Sequence, residues 1–316
     1  MTWQDRRAGA SFPRPEGLFE KLEDRMVLAG NVQASAGEVL ELRGDEAANN
    51  VLITHNSQGT IVVWGLEGTT INGQPSATFN GGNLEKVDIR LFGGNDTLDV
   101  RGLRASTDIN IEMDLGHDIV LLTHVRAGHN LTVKTDAGYD RVTAVGIRTG
   151  NDFNIETGQG YSNVWVAAST VDGVLSVLGQ DQSDTVTVRM STIRKDLRVN
   201  TGKGNDTLTV ISTEVVLTAS FITDEGNDRV TISGLKTGLD FNLEAGTGDD
   251  VLNMVNLRAG RNIHVKGDTG KDVVRVQNVF AGQDAEFLGG DEFDTFVNRG
   301  VWSGQDLEIV GFDRFI

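Results

Sequence analysis

The feature that most constrains this chain is a period of 22 residues. Asp96, Asp118, Asp140, Asp184, Asp206, Asp228, Asp250, Asp272 and Asp294 lie on one arithmetic series, whose remaining member is Ser162. Two residues earlier stand Gly94, Gly116, Gly138, Gly160, Gly204, Gly226, Gly248 and Gly270, with Gln182 and Glu292 in the other two repeats. Self-similarity at a fixed period marks a chain of stacked supersecondary units.

Within each repeat the second residue after the Asp is apolar (Leu98, Val120, Val142, Val164, Val186, Leu208, Val230, Leu252, Val274, Phe296), and the fourth is apolar in all but Asn298. Alternation at period two is the pattern of a strand with one buried face. A second alternating pair precedes the Asp by nine and seven residues, as in Ile109 and Ile111 or Phe241 and Leu243. A third apolar position falls seven after it, as in Leu103, Val125 and Leu257. Two strands, a third inward contact and glycine corners describe one turn of a three-sided coil. The spacing predicts an all-β fold, a right-handed parallel β-helix of about ten 22-residue coils over residues 85–316. Proline agrees: Pro13, Pro15 and Pro75 all precede the repeats, so nothing there removes a ladder donor.

Residues 31–84 leave the register but read as strands, predicting an irregular β cap; residues 1–30 read as a leader. After Asp306 little chain remains to cover the last coil, which predicts an open sheet edge and end-to-end self-association.

The chain carries 45 acidic and 28 basic side chains, a net charge of −17. That balance argues against nucleic acid, whose binding draws on lysine and arginine. There are no cysteines, so disulfides and thiolate metal sites are excluded. No apolar run is long enough for a transmembrane helix. Outward acids and bases are scattered over several coils, and no nucleophile sits beside a base; the expectation is a non-enzymatic protein.

The aspartate column is the candidate site. Unit charges one rung apart, at about 4.8 Å, repel by roughly 1 kcal/mol in water. Either bound calcium offsets this, or each carboxylate accepts hydrogen bonds from turn amides. Arg104, Arg126, Arg148, Lys236 and Arg258 share another column, read as solvated charge. Ile119, Leu121 and Trp165 form a candidate partner patch for a surface glycan or protein, which keeps a carbohydrate-binding or polysaccharide-degrading module as the alternative. His117, His124 and His129 fall on different corners and lack the spacing of a zinc site.

Two resemblances bear on function. Gly246-Thr247-Gly248-Asp249-Asp250-Val251 and Thr201-Gly202-Lys203-Gly204-Asn205-Asp206 resemble degenerate copies of the RTX, or haemolysin-type, calcium-binding repeat. That likeness implies calcium as a cofactor and secretion, although the period is 22 rather than nine and the full G-G-x-G-x-D string is missing. Leu22-Glu23-Asp24-Arg25-Met26-Val27-Leu28 is similar to the LEPR-xLL motif of planctomycete surface proteins, with Asp24 where that motif has proline. It implies an extracellular or cell-surface location. Together these give the expectation of an exported structural or adhesive protein stabilised by calcium.

Overall fold

The computed structural model describes residues 30–316; the Leu22–Leu28 motif and the leader lie outside them. The described chain is all β, a parallel solenoid of about ten coils with the expected period.

The first regular coil sets the pattern. Strand β7 (Lys86–Arg90) forms the first side, β8 (Thr97–Arg101) the second and the two-residue β9 (Arg104–Ala105) the third. Each strand pairs in parallel with its counterpart 22 residues on: Val87 with Ile109, Leu98 with Val120, Arg104 with Arg126. The first sides make one long sheet, and the second and third sides share another. The register never slips along the second side, so Leu98, Val120, Val142, Val164, Val186 and Leu208 form one buried ladder. A slip of one residue would turn every inward side chain out.

The corner between the second and third sides bends at one residue with positive φ in successive coils: Gly102, His124, Gly146, Ala168, Met190, Ser212, Gly234 and Asn256. The third side conserves volume within each coil. Leu103, Val125, Leu235 and Leu257 are followed two residues later by Ala105, Ala127, Thr237 and Ala259, whereas Ser169, Ser191 and Thr213 are followed by Val171, Ile193 and Val215. Close packing demands this exchange, because an interior has room for one large side chain at that edge and not for two.

The amino-terminal part is less irregular than its sequence suggests. β1 (Asn31–Ala36) pairs antiparallel with β2 (Val39–Arg43), and β2 lies in parallel register under β7, with Leu40 against Val87. β3 (Asn50–His55) lies in the same way under β8, with Val51 against Leu98. β2 and β3 are therefore an additional coil, and β4 (Thr60–Gly65), β5 (Thr70–Ile71) and β6 (Ser76–Asn80) are inserted after it. β4 and β6 continue antiparallel from β3 and put foreign edges over the end of the stack.

At the other end, Arg314 and Phe315 pair with Thr295 and Phe296, and the Phe312 and Phe315 rings lie 5.0 and 6.2 Å from that of buried Phe296. The tail thus covers part of the last coil. The tail's last bond is from the Asn298 N–H to the Ile316 carbonyl, and residues 299–303 and Leu307–Val310 carry no further strand among the described residues.

Candidate functional site

The aspartate column lies inside the solenoid. Asp96, Asp118, Asp250, Asp272 and Asp294 are fully buried, and the other four are at most 3% exposed. Their place on the strand requires it: Asp stands two and four residues before the inward Leu or Val, so it points the same way.

Each carboxylate accepts one backbone N–H through Oδ1, and Asp96 also accepts from Asn49 Nδ2 at 3.5 Å. The N–H of Asp96 donates to Oδ1 of Asp118 at 2.8 Å, that of Asp118 to Asp140 at 2.9 Å, and those of Asp184, Asp206, Asp228, Asp250 and Asp272 to the following aspartate at 2.7–2.9 Å. The amide is capped by the carboxylate of the next coil rather than by one in its own turn. Ser162 is too short for this, and Asp140 donates instead to the Tyr161 carbonyl at 3.0 Å. The ladder ends in substitutes: Asn49 donates its N–H to Asp96 at 2.7 Å, and Asp294 donates to Asp313 at 3.0 Å.

The second carboxylate oxygen, Oδ2, is buried and without a hydrogen-bond partner in all nine aspartates. It faces the residue five positions earlier, as shown at Gly267, where a Cβ would overlap Asp272 Oδ2. A buried carboxylate with one acceptor bond is poorly solvated, and the charged form is disfavoured. Burial pushes Asp118 and Asp250 up to about 8, and Asp96, Asp184 and Asp272 to about 7, with neighbouring aspartates adding to the rise. Asp140 and Asp228 rise only to about 6, also through burial, because the amide bond and the hydroxyls of Thr135 and Thr223 favour the anion. The Thr223 hydroxyl is itself directed at the Ala245 carbonyl, 3.0 Å away, so its support of Asp228 is partial. Asp206 and Asp294 are raised by burial as well.

Two further capping columns run the opposite way, each side chain reaching forward to an amide of the next coil. At the corner before the first side, Asp108 accepts from Asn130 at 3.0 Å, Asn130 from Asp152 at 3.2 Å, and Asp152 from Val174 at 2.8 Å. Just before the buried column, Asn205 accepts from Asn227 at 2.7 Å, Asn227 from Asp249 at 2.8 Å and Asp249 from Lys271 at 2.9 Å. The sequence signal was the run of Asp and Asn at the 22-residue period in both columns. In the second of them His117 Nδ1 accepts from the Tyr139 amide, and Tyr139 stacks on Tyr161 with centroids 5.1 Å apart.

The proposed partner patch is brought together only in part. Ile119 is 37% exposed, Leu121 is half-buried beside it, and Trp165 is separated from Leu121 by Thr143. The Arg189 guanidinium lies 5.4 Å from the Trp165 ring centre. His117, His124 and His129 sit on separate corners, and no group of three His, Asp or Glu placed to hold a metal occurs among the described residues. No described helix is long and apolar enough to cross a membrane. No known protein family, curated protein or solved structure matches the chain.

Proposed function

We propose that the protein is a non-enzymatic structural module, a β-solenoid rod displayed outside the cell, whose buried acids join one coil to the next. The observation that carries this reading is the aspartate column. Its chemistry is spent within the fold: every Oδ1 binds a backbone amide of the adjacent coil, and all nine side chains are buried. A proton on Oδ2 relieves both the desolvation of the charge and the repulsion between neighbours, with no other ligand. Export and an adhesive role are supported by the likeness of Leu22–Leu28 to the planctomycete surface motif and of the glycine turns to RTX repeats. Labelling of intact cells with a membrane-impermeant amine reagent tests the location: modification before lysis supports it, and protection until lysis contradicts it.

Calcium is the second reading, favoured by the same unpartnered Oδ2 oxygens. Calcium takes six to eight oxygens, so the column, with one free oxygen per coil, would need carbonyls to complete each site. Thermal unfolding with chelator and with added calcium separates the two readings. A calcium-specific rise in Tm near neutral pH supports metal; an unchanged Tm supports the proton.

A further inference from the structure

Charge is segregated around the solenoid. Along the second and third sides of the ten coils, from one to eight residues after each column position, stand eleven basic side chains and two acidic ones, Asp99 and Glu214, in a chain of net charge −17. Arg104, Arg126 and Arg148 are exposed and in register on consecutive coils, about one rung apart. Further along, Arg229, Lys236, Arg258, Arg275 and Arg299 project from the same two sides and are exposed.

The pairing of these groups differs from that elsewhere. Only Arg101 has a carboxylate partner, Asp99 at 2.6 Å; the other ten have none within 4.0 Å among the described residues. Bases on the first side are matched, as in Arg90 with Glu112 at 2.6 Å, Lys134 with Glu156 at 2.7 Å and Arg198 with Asp196 at 2.8 Å. Two arginines lie over aromatic rings on these sides, Arg189 over Trp165 and Arg258 over Phe280, the latter at 5.3 Å. Stacked arginines without counter-charges repel one another and are relieved by an anionic partner.

We propose that this face binds a linear acidic polysaccharide laid along the solenoid axis. The proposal goes beyond the scaffold reading and is independent of what occupies the buried column. A linear pyranose chain advances by about one rung per sugar, so the carboxylate or sulfate groups along one of its edges recur at the rung spacing or a small multiple of it and meet members of a guanidinium column. Apolar sugar faces find exposed Phe280 and Trp302, which continue the same column after Arg258. The stripe is bordered by acids on both flanks, at Asp114, Asp224 and Asp268 on one corner and Asp108, Asp196 and Asp240 on the other. A broad nucleic-acid duplex would press phosphates against those flanks, whereas one sugar chain lies between them.

The test uses the full chain and three probes: alginate, its methyl-esterified uncharged form, and a single-stranded oligothymidylate. Alginate binds and is released as salt rises, the ester does not bind, and the oligonucleotide binds more weakly. The triple variant Arg104→Gln, Arg126→Gln, Arg148→Gln, exposed and therefore folded like the native chain by circular dichroism, loses roughly tenfold in affinity for alginate. A second variant, Lys134→Gln with Lys203→Gln on the acidic sides, binds as the native protein does. No binding at low salt, equal binding of the ester, oligothymidylate binding as tight as alginate's, or a folded triple variant of native affinity would each overturn the proposal.

Discussion

The backbone N–H of Asp228 donates to Oδ1 of Asp250 in the next coil at 2.7 Å, while Oδ2 of Asp250 meets no partner. One oxygen of this carboxyl ties two coils together and the other is buried with no protein donor beside it. Repeated along the column, this relation makes the protonation of the aspartates part of the stability of the rod.

The first consequence is a dependence on pH whose sign is opposite to that of salt-bridged acids. The folded values are raised above the unfolded carboxylate value near 4, so the stabilisation is complete below that value and is lost as pH rises through about 6 to 8. The neighbouring charges that act most on the column are acidic, Asp45, Asp114, Asp136, Asp224, Asp249, Asp268, Asp291, Glu292 and Asp313, while His117 acts the other way on Asp140. None of the acids holds the column ionised. Thermal unfolding followed by circular dichroism should give a Tm lower by about 5 °C or more at about pH 8.5 than at about pH 5. A Tm that climbs with pH over that range would contradict the account.

Substitution at Asp250 separates charge from hydrogen bonding. Asp250→Asn keeps an acceptor for the Asp228 amide and cannot ionise, so it should raise Tm at alkaline pH and leave it nearly unchanged in acid. Asp250→Ala removes the acceptor and should cost about 1–3 kcal/mol at both. Ala245→Thr places a hydroxyl where Thr223 supports Asp228, and should lower the titration of Asp250 toward that of Asp228. Denaturant unfolding at two pH values measures all three.

Glycine at the turn is set by backbone approach. At Gly248, φ is +132° and a Cβ would overlap the Gly226 carbonyl, so Gly248→Ala should destabilise by about 2 kcal/mol or more. Gln182 stands at the equivalent position with φ of 71°, and Gln182→Gly should raise stability by about 1 kcal/mol. Paired chemical melts decide both signs.

The third side gives a packing test. Ile193 is fully buried beside Ser191, which is 4% exposed, and Ile193→Ala should lose about 2–4 kcal/mol through the cavity left behind. Ala259→Ile, beside Leu257, should instead overpack the edge and cost about 1–3 kcal/mol. Similar losses from opposite changes of volume would confirm that each coil holds one large residue there.

The repeat was legible because side-chain alternation and the 22-residue period act together: once Leu98 and Val100 face inward, Val120 and Leu122 must follow. The same parity places Asp96 inside with Leu98, but spacing alone does not show that each carboxylate caps an amide of the neighbouring coil rather than one in its own turn. The additional coil of β2 and β3 was hidden by the insertion after it, which moves Asn49 off the arithmetic series although it occupies the column's place. The unpaired arginines were visible one column at a time. Their concentration on two sides emerged only when the coil brought +1, +3, +5 and +8 positions onto one continuous sheet.

The most direct test of the central claim is infrared difference spectroscopy of the carboxyl stretch through neutral pH, comparing the native chain with Asp250→Asn. The account predicts a band of protonated, weakly hydrogen-bonded carboxyl groups that persists near pH 7, fades toward pH 9 and is reduced in the variant. A spectrum with only ionised carboxylate at pH 7, the same in both proteins, would contradict it.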